Sequence, residues 1–366
     1  MRTFISAELA QQYWRYQSIL GLPPAHPTTL TRVHDEAWRT SDIEAAGWDW
    51  LCFTIEQANN AGIFVEKNAP LVDHLAPGMR LRLSATVDVL VSSQNHRHQA
   101  GPHARRLFSQ ELPPGHLYQM EGCDIIIPSP ELTLVLLMTV LPTDAARAMA
   151  AYEFCGHYSV LPHGFTTADG NGFVERPSLT TVEKCQELVE AAPRLKGAGI
   201  LRRILKDVQN DSASIQESKT DYLFGSHEGF GLRSDGLNRR VALSAEARKI
   251  ARKHTAYADI IYTNRHWQQD THRIKGMVLE YQGMAGHYRT ASQAASDNRR
   301  RRALEHDGWL VAFITGAEFN SFDDMLTLFA QLVRAIDVKP SVYLSPERIN
   351  RARKLHLQLS DPDLGR

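Results

Sequence analysis

Between residues 257 and 315, apolar and polar positions alternate in blocks: two short apolar runs, a charged stretch, then a third apolar run. Tyr257-Ala-Asp-Ile-Ile-Tyr and Met277-Val-Leu-Glu-Tyr-Gln are rich in β-branched and aromatic residues, which predicts two strands. Each carries one acid, Asp259 in the first and Glu280 in the second. The stretch from Ala294, with arginines at every position from Arg299 to Arg302, predicts a charged helix, and Trp309 to Thr315 predicts a third strand. Upstream, Ile215 to Phe224 reads as a helix carrying Glu217, and Ser244 caps another that leads into the Asp259 strand. Downstream, Phe322, Met325, Leu328, Phe329 and Leu332 keep helical spacing over residues 321–336.

The first half of the chain is patterned differently. Residues 5–62 read as helical pieces: Trp14, Tyr16, Ile19 and Leu20 share one apolar face, and a second helix from Ser41 to about Asn60 carries Trp48, Trp50 and Leu51. Residues 79–128 are β-rich. Ser129, Pro130 and Glu131 form a helix start, with the cap, the first-turn proline and the acid near the positive end of the dipole in sequence. An apolar helix pair follows over 131–155, and an amphipathic pair with a basic face (Arg202, Arg203, Lys206) over 186–209. The expected organisation is a helical region (1–78), an α+β region (79–210), an α/β domain (211–336) and a charged tail (337–366).

The formal charge of zero hides an asymmetry. Residues 1–188 hold 13 Lys and Arg against 20 Asp and Glu, and residues 189–366 hold 28 against 21. The basic half carries the two strand acids, and clustered Lys and Arg favour phosphate through counterion release. A helix-rich domain with solvated arginine faces accounts for the same charge. No apolar stretch reaches a membrane span, and the start lacks the apolar core of a signal peptide, so the expected location is cytoplasmic with no membrane contact. Cys52, Cys123, Cys155 and Cys185 lie far apart, as reduced core residues do. His96, His98 and His103 sit in a basic stretch without a carboxylate or thiol to complete a metal set, and read as a surface loop.

A carboxylate within an apolar strand is costly unless paired or bound to a cation. Two such acids on neighbouring strands can meet at one end of a sheet and share Mg²⁺ or Mn²⁺, since magnesium prefers one or two carboxylates with water and phosphate oxygens. Gln282 leaves its strand on the Glu280 face, so Asp259, Glu280 and Gln282 can hold a metal and position a water. Acids at strand ends, solvated or paired with arginine, explain the same residues.

The order of these pieces resembles the very-short-patch-repair-like branch of the PD-(D/E)xK nuclease superfamily. Carrying the resemblance are Glu217 in Ser-Ile-Gln-Glu-Ser-Lys, Asp259, Leu279-Glu-Tyr-Gln-Gly283, His287, and Asp297-x-x-Arg300-x-x-x-Leu304-x-x-x-Gly308-Trp309, over roughly residues 212–335. It implies a restriction-endonuclease-like mixed sheet flanked by helices. It further implies metal at Asp259 and Glu280, catalytic roles for Glu217 and Gln282, and nucleic acid, expected to be DNA, held by His287, Arg300 and Arg301. The superfamily's usual lysine is replaced by Gln282, which leaves three options: a slower enzyme, a lysine from elsewhere (Lys275, Lys219), or a retained fold without activity. Residues 80–210 resemble the core of abortive-infection antitoxin-like regulators of type IV toxin–antitoxin systems, through Ser-Pro-Glu, the paired helices, Glu-Phe-Cys-Gly and Leu-Thr-Thr-Val-Glu. That implies an N-terminal α+β regulatory domain with a cognate toxin or regulatory partner. The expected activity is a metal-dependent endonuclease; the alternative is a DNA-binding regulator that keeps the nuclease fold without catalysis.

Overall fold

Prolines and polar residues interrupt the apolar runs of the first half of the chain, and its strands are correspondingly short. In order they are β1 (Thr3–Phe4), helix α1 (Ala7–Tyr16), β2 (Ala25–Pro27), β3 (Cys52–Thr54), α2 (Ile55–Asn60), β4 (Ile63–Val65), β5 (Arg80–Arg82), β6 (Asp88–Val91), β7 (Ala104–Leu107), β8 (Leu117–Met120) and β9 (Ile125–Pro128). There follow α3 (Pro130–Leu137), α4 (Asp144–Cys155), β10 (Tyr158–Val160), β11 (Phe165–Thr167), β12 (Phe173–Glu175), α5 (Val182–Ala191) and α6 (Ala198–Ile204). This computed structural model describes residues 3–33, 52–65, 80–82, 88–92, 104–268, 274–282, 291–362 and 364. The chain forms two units: Met1–Phe154 with Ser159–Ala168 and Leu179–Lys206, and Cys155–Tyr158 with Asp169–Ser178 and Asp207–Arg366.

In the first unit a four-stranded sheet runs β1-β9-β8-β2. β1 is parallel to β9, and β8 is antiparallel to both its neighbours. Every residue of β9 is buried. It hands the chain directly to α3, where the Ser129 side chain accepts from the Leu132 N–H and Pro130 occupies the first turn, as the sequence predicts. α1 buries Leu9, Ala10, Tyr13 and Tyr16. It ends at Tyr16, so Ile19 and Leu20 fall beyond the helix face assigned to them. Within residues 5–62, the described residues hold the helices α1 and α2, as expected, together with the short strands β2 and β3. Cys52-Phe-Thr is β-favouring, and Thr54 caps α2 through a reciprocal bond with Gln57. Trp48, Trp50 and Leu51, and the His96, His98 and His103 stretch, lie outside the described residues.

The second unit adds α7 (Ile215–Gly225), β13 (Gly236–Ala242), α8 (Ala245–Ala251), β14 (Thr255–Thr263), β15 (Gly276–Gln282), α9 (Ala291–His306) and β16 (Trp309–Thr315). It ends with α10 (Gly316–Asn320), α11 (Phe322–Ala335), α12 (Pro340–Tyr343) and α13 (Pro346–Leu359). Its mixed sheet has the order β13-β14-β15-β16, antiparallel across the first two pairings and parallel across the third. The parallel step requires a crossover, and α9 supplies it. Val278 of β15 packs with Ala303 and Leu304 of α9, beside Val241, Ala247, Ala256 and Ile261. A second core joins Phe224, Phe230 and Phe329, whose last two rings stack 4.1 Å apart. Gly276 begins β15 at φ 148°, and a Cβ there would come within 2.0 Å of the Tyr262 carbonyl oxygen.

Residues 337–366, expected as a charged tail, hold α12 and α13, and α13 buries Ala352, Leu355, His356 and Leu359. Among the described residues no helix is long and apolar enough to cross a membrane. None of the four cysteines forms a disulfide; Cys155 and Cys185 are buried, Cys52 and Cys123 half-buried.

Candidate functional site

Glu217 is the third residue of α7, the position from which a side chain reaches back to its own cap. Ser214 caps the helix by accepting from the Glu217 N–H, and its hydroxyl donates to Glu217 Oε1 at 3.0 Å. Glu217 Oε2 accepts from the Ala213 N–H at 2.9 Å and from the Asn238 amide at 2.7 Å. Asn238 stands in β13 at φ 47°, a left-handed conformation that asparagine tolerates better than most residues.

Asp259 is half-buried on β14, and its Oδ2 accepts from the Tyr281 N–H at 3.0 Å. The pairing of Ile260 with Leu279, continued by one residue, sets Asp259 opposite Glu280. Glu280 is 3% exposed. Its Oε2 accepts from Arg300 Nη2 at 2.7 Å, while Oε1 is buried with no hydrogen-bond partner among the described residues. Gln282, half-buried at the end of β15, pairs with Thr315.

The charges of these acids oppose one another. Burial raises the Glu217 carboxyl to about 7, and the charge of Asp259 adds to the rise. Burial likewise raises Glu280 to about 7, against the pull of Arg300 and with Asp259 and Asp297 pushing the same way as burial. Such perturbed groups cluster at functional sites, although structural networks produce them too.

α9 sends its arginines in different directions. Arg300 Nη2 bonds Glu280 and lies 3.8 Å from Asp297 Oδ1. Arg301 Nε donates to Glu305 Oε1 at 2.7 Å, and its guanidinium lies 5.2 Å from the Phe313 ring. His287 lies outside the described residues. Neither lysine considered as a substitute for Gln282 stands well for that task. Lys275 precedes Glu280 by roughly 17 Å of strand, and its Nζ is 5.5 Å from the Trp267 ring. Lys219, two residues after Glu217, leaves α7 roughly 200° around the helix from it.

The structure therefore links these groups in series, Glu217 to Asp259, Asp259 to Glu280 and Glu280 to Arg300, with Gln282 on the same strand as Glu280. Among the described residues, no group of three or more His, Cys, Asp or Glu side chains is arranged to hold a metal ion. Two carboxylates with water and phosphate are enough for magnesium, and the free Oε1 of Glu280 fits an oxygen donor, so Asp259 and Glu280 could hold the ion. Sequence reasoning missed Asn238, which orients Glu217. Its only signal is a polar residue interrupting a strand, and nothing in that signal names the partner. No family model, curated protein or solved structure matches the chain.

Proposed function

We propose that the second unit is a metal-dependent phosphodiesterase acting on nucleic acid, DNA in the first instance. The observation that carries this reading is the buried Glu280, paired through one oxygen and without a hydrogen-bond partner at the other among the described residues, opposite Asp259 and on the strand of Gln282. A restriction-endonuclease-like core is the finer form of the mixed sheet and flanking helices. Asp259 and Glu280 hold Mg²⁺ or Mn²⁺ in this reading, and the ion supplies Lewis-acid stabilisation of charge at phosphorus. Gln282 orients the attacking water by hydrogen bonding. Glu217, fixed by three donors, sets the charge around Asp259. The excess of Lys and Arg in residues 189–366 attracts the nucleic-acid backbone.

The test is incubation of the whole protein with labelled single- and double-stranded DNA and RNA in Mg²⁺, Mn²⁺ or EDTA, beside Glu280→Ala. Metal-dependent cutting lost in the variant is the expected result, and cutting that survives the substitution would remove the assignment.

Gln282 favours a second reading, because a neutral amide brings no positive charge to the phosphate. In that reading the protein is an antitoxin-like DNA-binding regulator with a cognate toxin or other protein partner, in the cytoplasm. It expects salt-sensitive DNA binding that Asp259→Ala barely changes and a partner that co-purifies; turnover that requires Mg²⁺ would count against it.

A further inference from the structure

Arg300 is a cation placed where the strand motif lacks one. Gln282 is the second residue after Glu280, on the same face of β15, and it is neutral. α9 packs on that face through Ala303 and Leu304 against Val278. Arg300 stands one turn earlier on the same helix and reaches Glu280 Oε2 at 2.7 Å.

The pair is incomplete on both sides. An arginine–carboxylate pair can form two parallel bonds, yet here a single nitrogen meets a single oxygen. Glu280 Oε1 and Arg300 Nε are both buried and have no hydrogen-bond partner among the described residues. Arg300 keeps about a third of its side chain exposed while Glu280 is almost wholly buried. Arg300 thus bonds the buried acid through Nη2, with Asp297 Oδ1 3.8 Å away, while part of its side chain stays in solvent where an incoming anion can approach.

We propose that Arg300 is the catalytic cation of this site, touching the scissile phosphate and holding Glu280 with Oε1 presented, in place of a lysine at position 282. The inference rests on the phosphodiesterase reading for its substrate, and it moves the positive charge from the strand to the crossover helix. No covalent step is assigned to Arg300. It lowers the energy of charge developing on the phosphate oxygens, as preorganised donors do.

The experiment relocates the charge. Wild type, Arg300→Gln, Gln282→Lys and the double variant Arg300→Gln/Gln282→Lys are compared in two assays on the full chain. In Mn²⁺, cleavage of a DNA duplex by Arg300→Gln should fall by about a hundredfold, and the double variant should recover at least tenfold of it. In EDTA, duplex affinity is followed against salt concentration. Arg300→Gln should lower the slope of log affinity against log salt by about one, and the double variant should restore it. A lysine at 282 cannot repair a packing defect left by Arg300, so rescue separates charge from structure. Melting curves identify a variant that fails to fold, and Arg300→Lys then serves as the conservative substitute, expected to retain most of both signals. Folded variants with no loss, or a loss that Gln282→Lys does not repair, would overturn the assignment. Wild type that binds duplex with an Arg300-dependent slope but never cuts would sink the phosphodiesterase reading and leave the phosphate contact standing. Wild type that neither cuts nor binds would end both.

Discussion

Asn238 donates to Glu217 Oε2 at 2.7 Å from a backbone held at φ 47°. One residue thus meets two demands, a left-handed turn within a strand and a donor for a buried acid. Asn238→Ala should cost about 1–3 kcal/mol, because a buried acceptor loses its partner and alanine resists this backbone. Asn238→Gly should cost less, since glycine accepts the conformation but not the bond. Urea denaturation of both variants measures the difference; equal losses would show that the hydrogen bond alone matters.

Glu217 and Glu280 both have carboxyls raised to about 7 from an ordinary value of 4.5. The folded state then binds more protons than the unfolded one between these values, so stability falls as pH rises. In EDTA the melting temperature should drop across pH 4.5 to 7, and Glu217→Gln with Glu280→Gln should flatten that drop. Adding Mn²⁺ above this window should raise the melting temperature of the wild type, because a ligand that binds only the folded state stabilises it. The rise should vanish in Glu280→Gln. A wild-type curve that climbs through the window in EDTA would contradict the electrostatics described for the site.

In the first unit, Arg15 and Glu153 form a fully buried fork with bonds of 2.8 and 2.6 Å, and Glu153 Oε1 also accepts from the Val160 N–H. Removing one partner leaves an uncompensated buried charge, so Glu153→Ala should destabilise by about 3–5 kcal/mol. Replacing both residues with apolar ones of similar volume should recover much of that loss. Chemical denaturation of the single and double variants decides between a pair that stabilises the unit and one that only specifies its packing.

Leu359 closes the last helix and is fully buried. Leu359→Ala should cost about 2–5 kcal/mol, whereas a solvated tail would tolerate it without change. Deleting α13 should cost more, since Arg348 Nη1 also donates to the Phe230 carbonyl at 3.0 Å.

Strands β14 to β16 and helices α7, α8, α9 and α11 are legible because their periods are long enough to show and because Ser214 and Ser244 mark helix starts by cap chemistry, whereas β13 follows a glycine-rich stretch that hides it. The acids are legible for the opposite reason, as polar residues where the pattern calls for apolar ones. Other features depend on three-dimensional placement. Arg300 shares the Leu304 face of its helix, which singles it out among the four consecutive arginines, but which acid it meets follows from how α9 docks. Asn238 needs its backbone angle before its role appears. Strands β1 to β4 have four residues or fewer, too few for a period to show. The last helix was readable: Ala352, Leu355, His356 and Leu359 keep the i, i+3, i+4, i+7 spacing, hidden among the charges that surround them.

The parallel pairing of β15 with β16 also orders events in time. β13, β14 and β15 join antiparallel neighbours, whereas β16 must wait until the chain has travelled through α9. Loop closure over that distance is the slow, entropically costly part of building such a sheet. Arg300 travels with the crossover, so it reaches Glu280 no earlier than the helix docks. A nascent chain stalled before residue 300 would carry the acids without their counter-charge. Synthesis thus delivers the positive group after the acids it meets, and the ion pair becomes a marker that the crossover has closed.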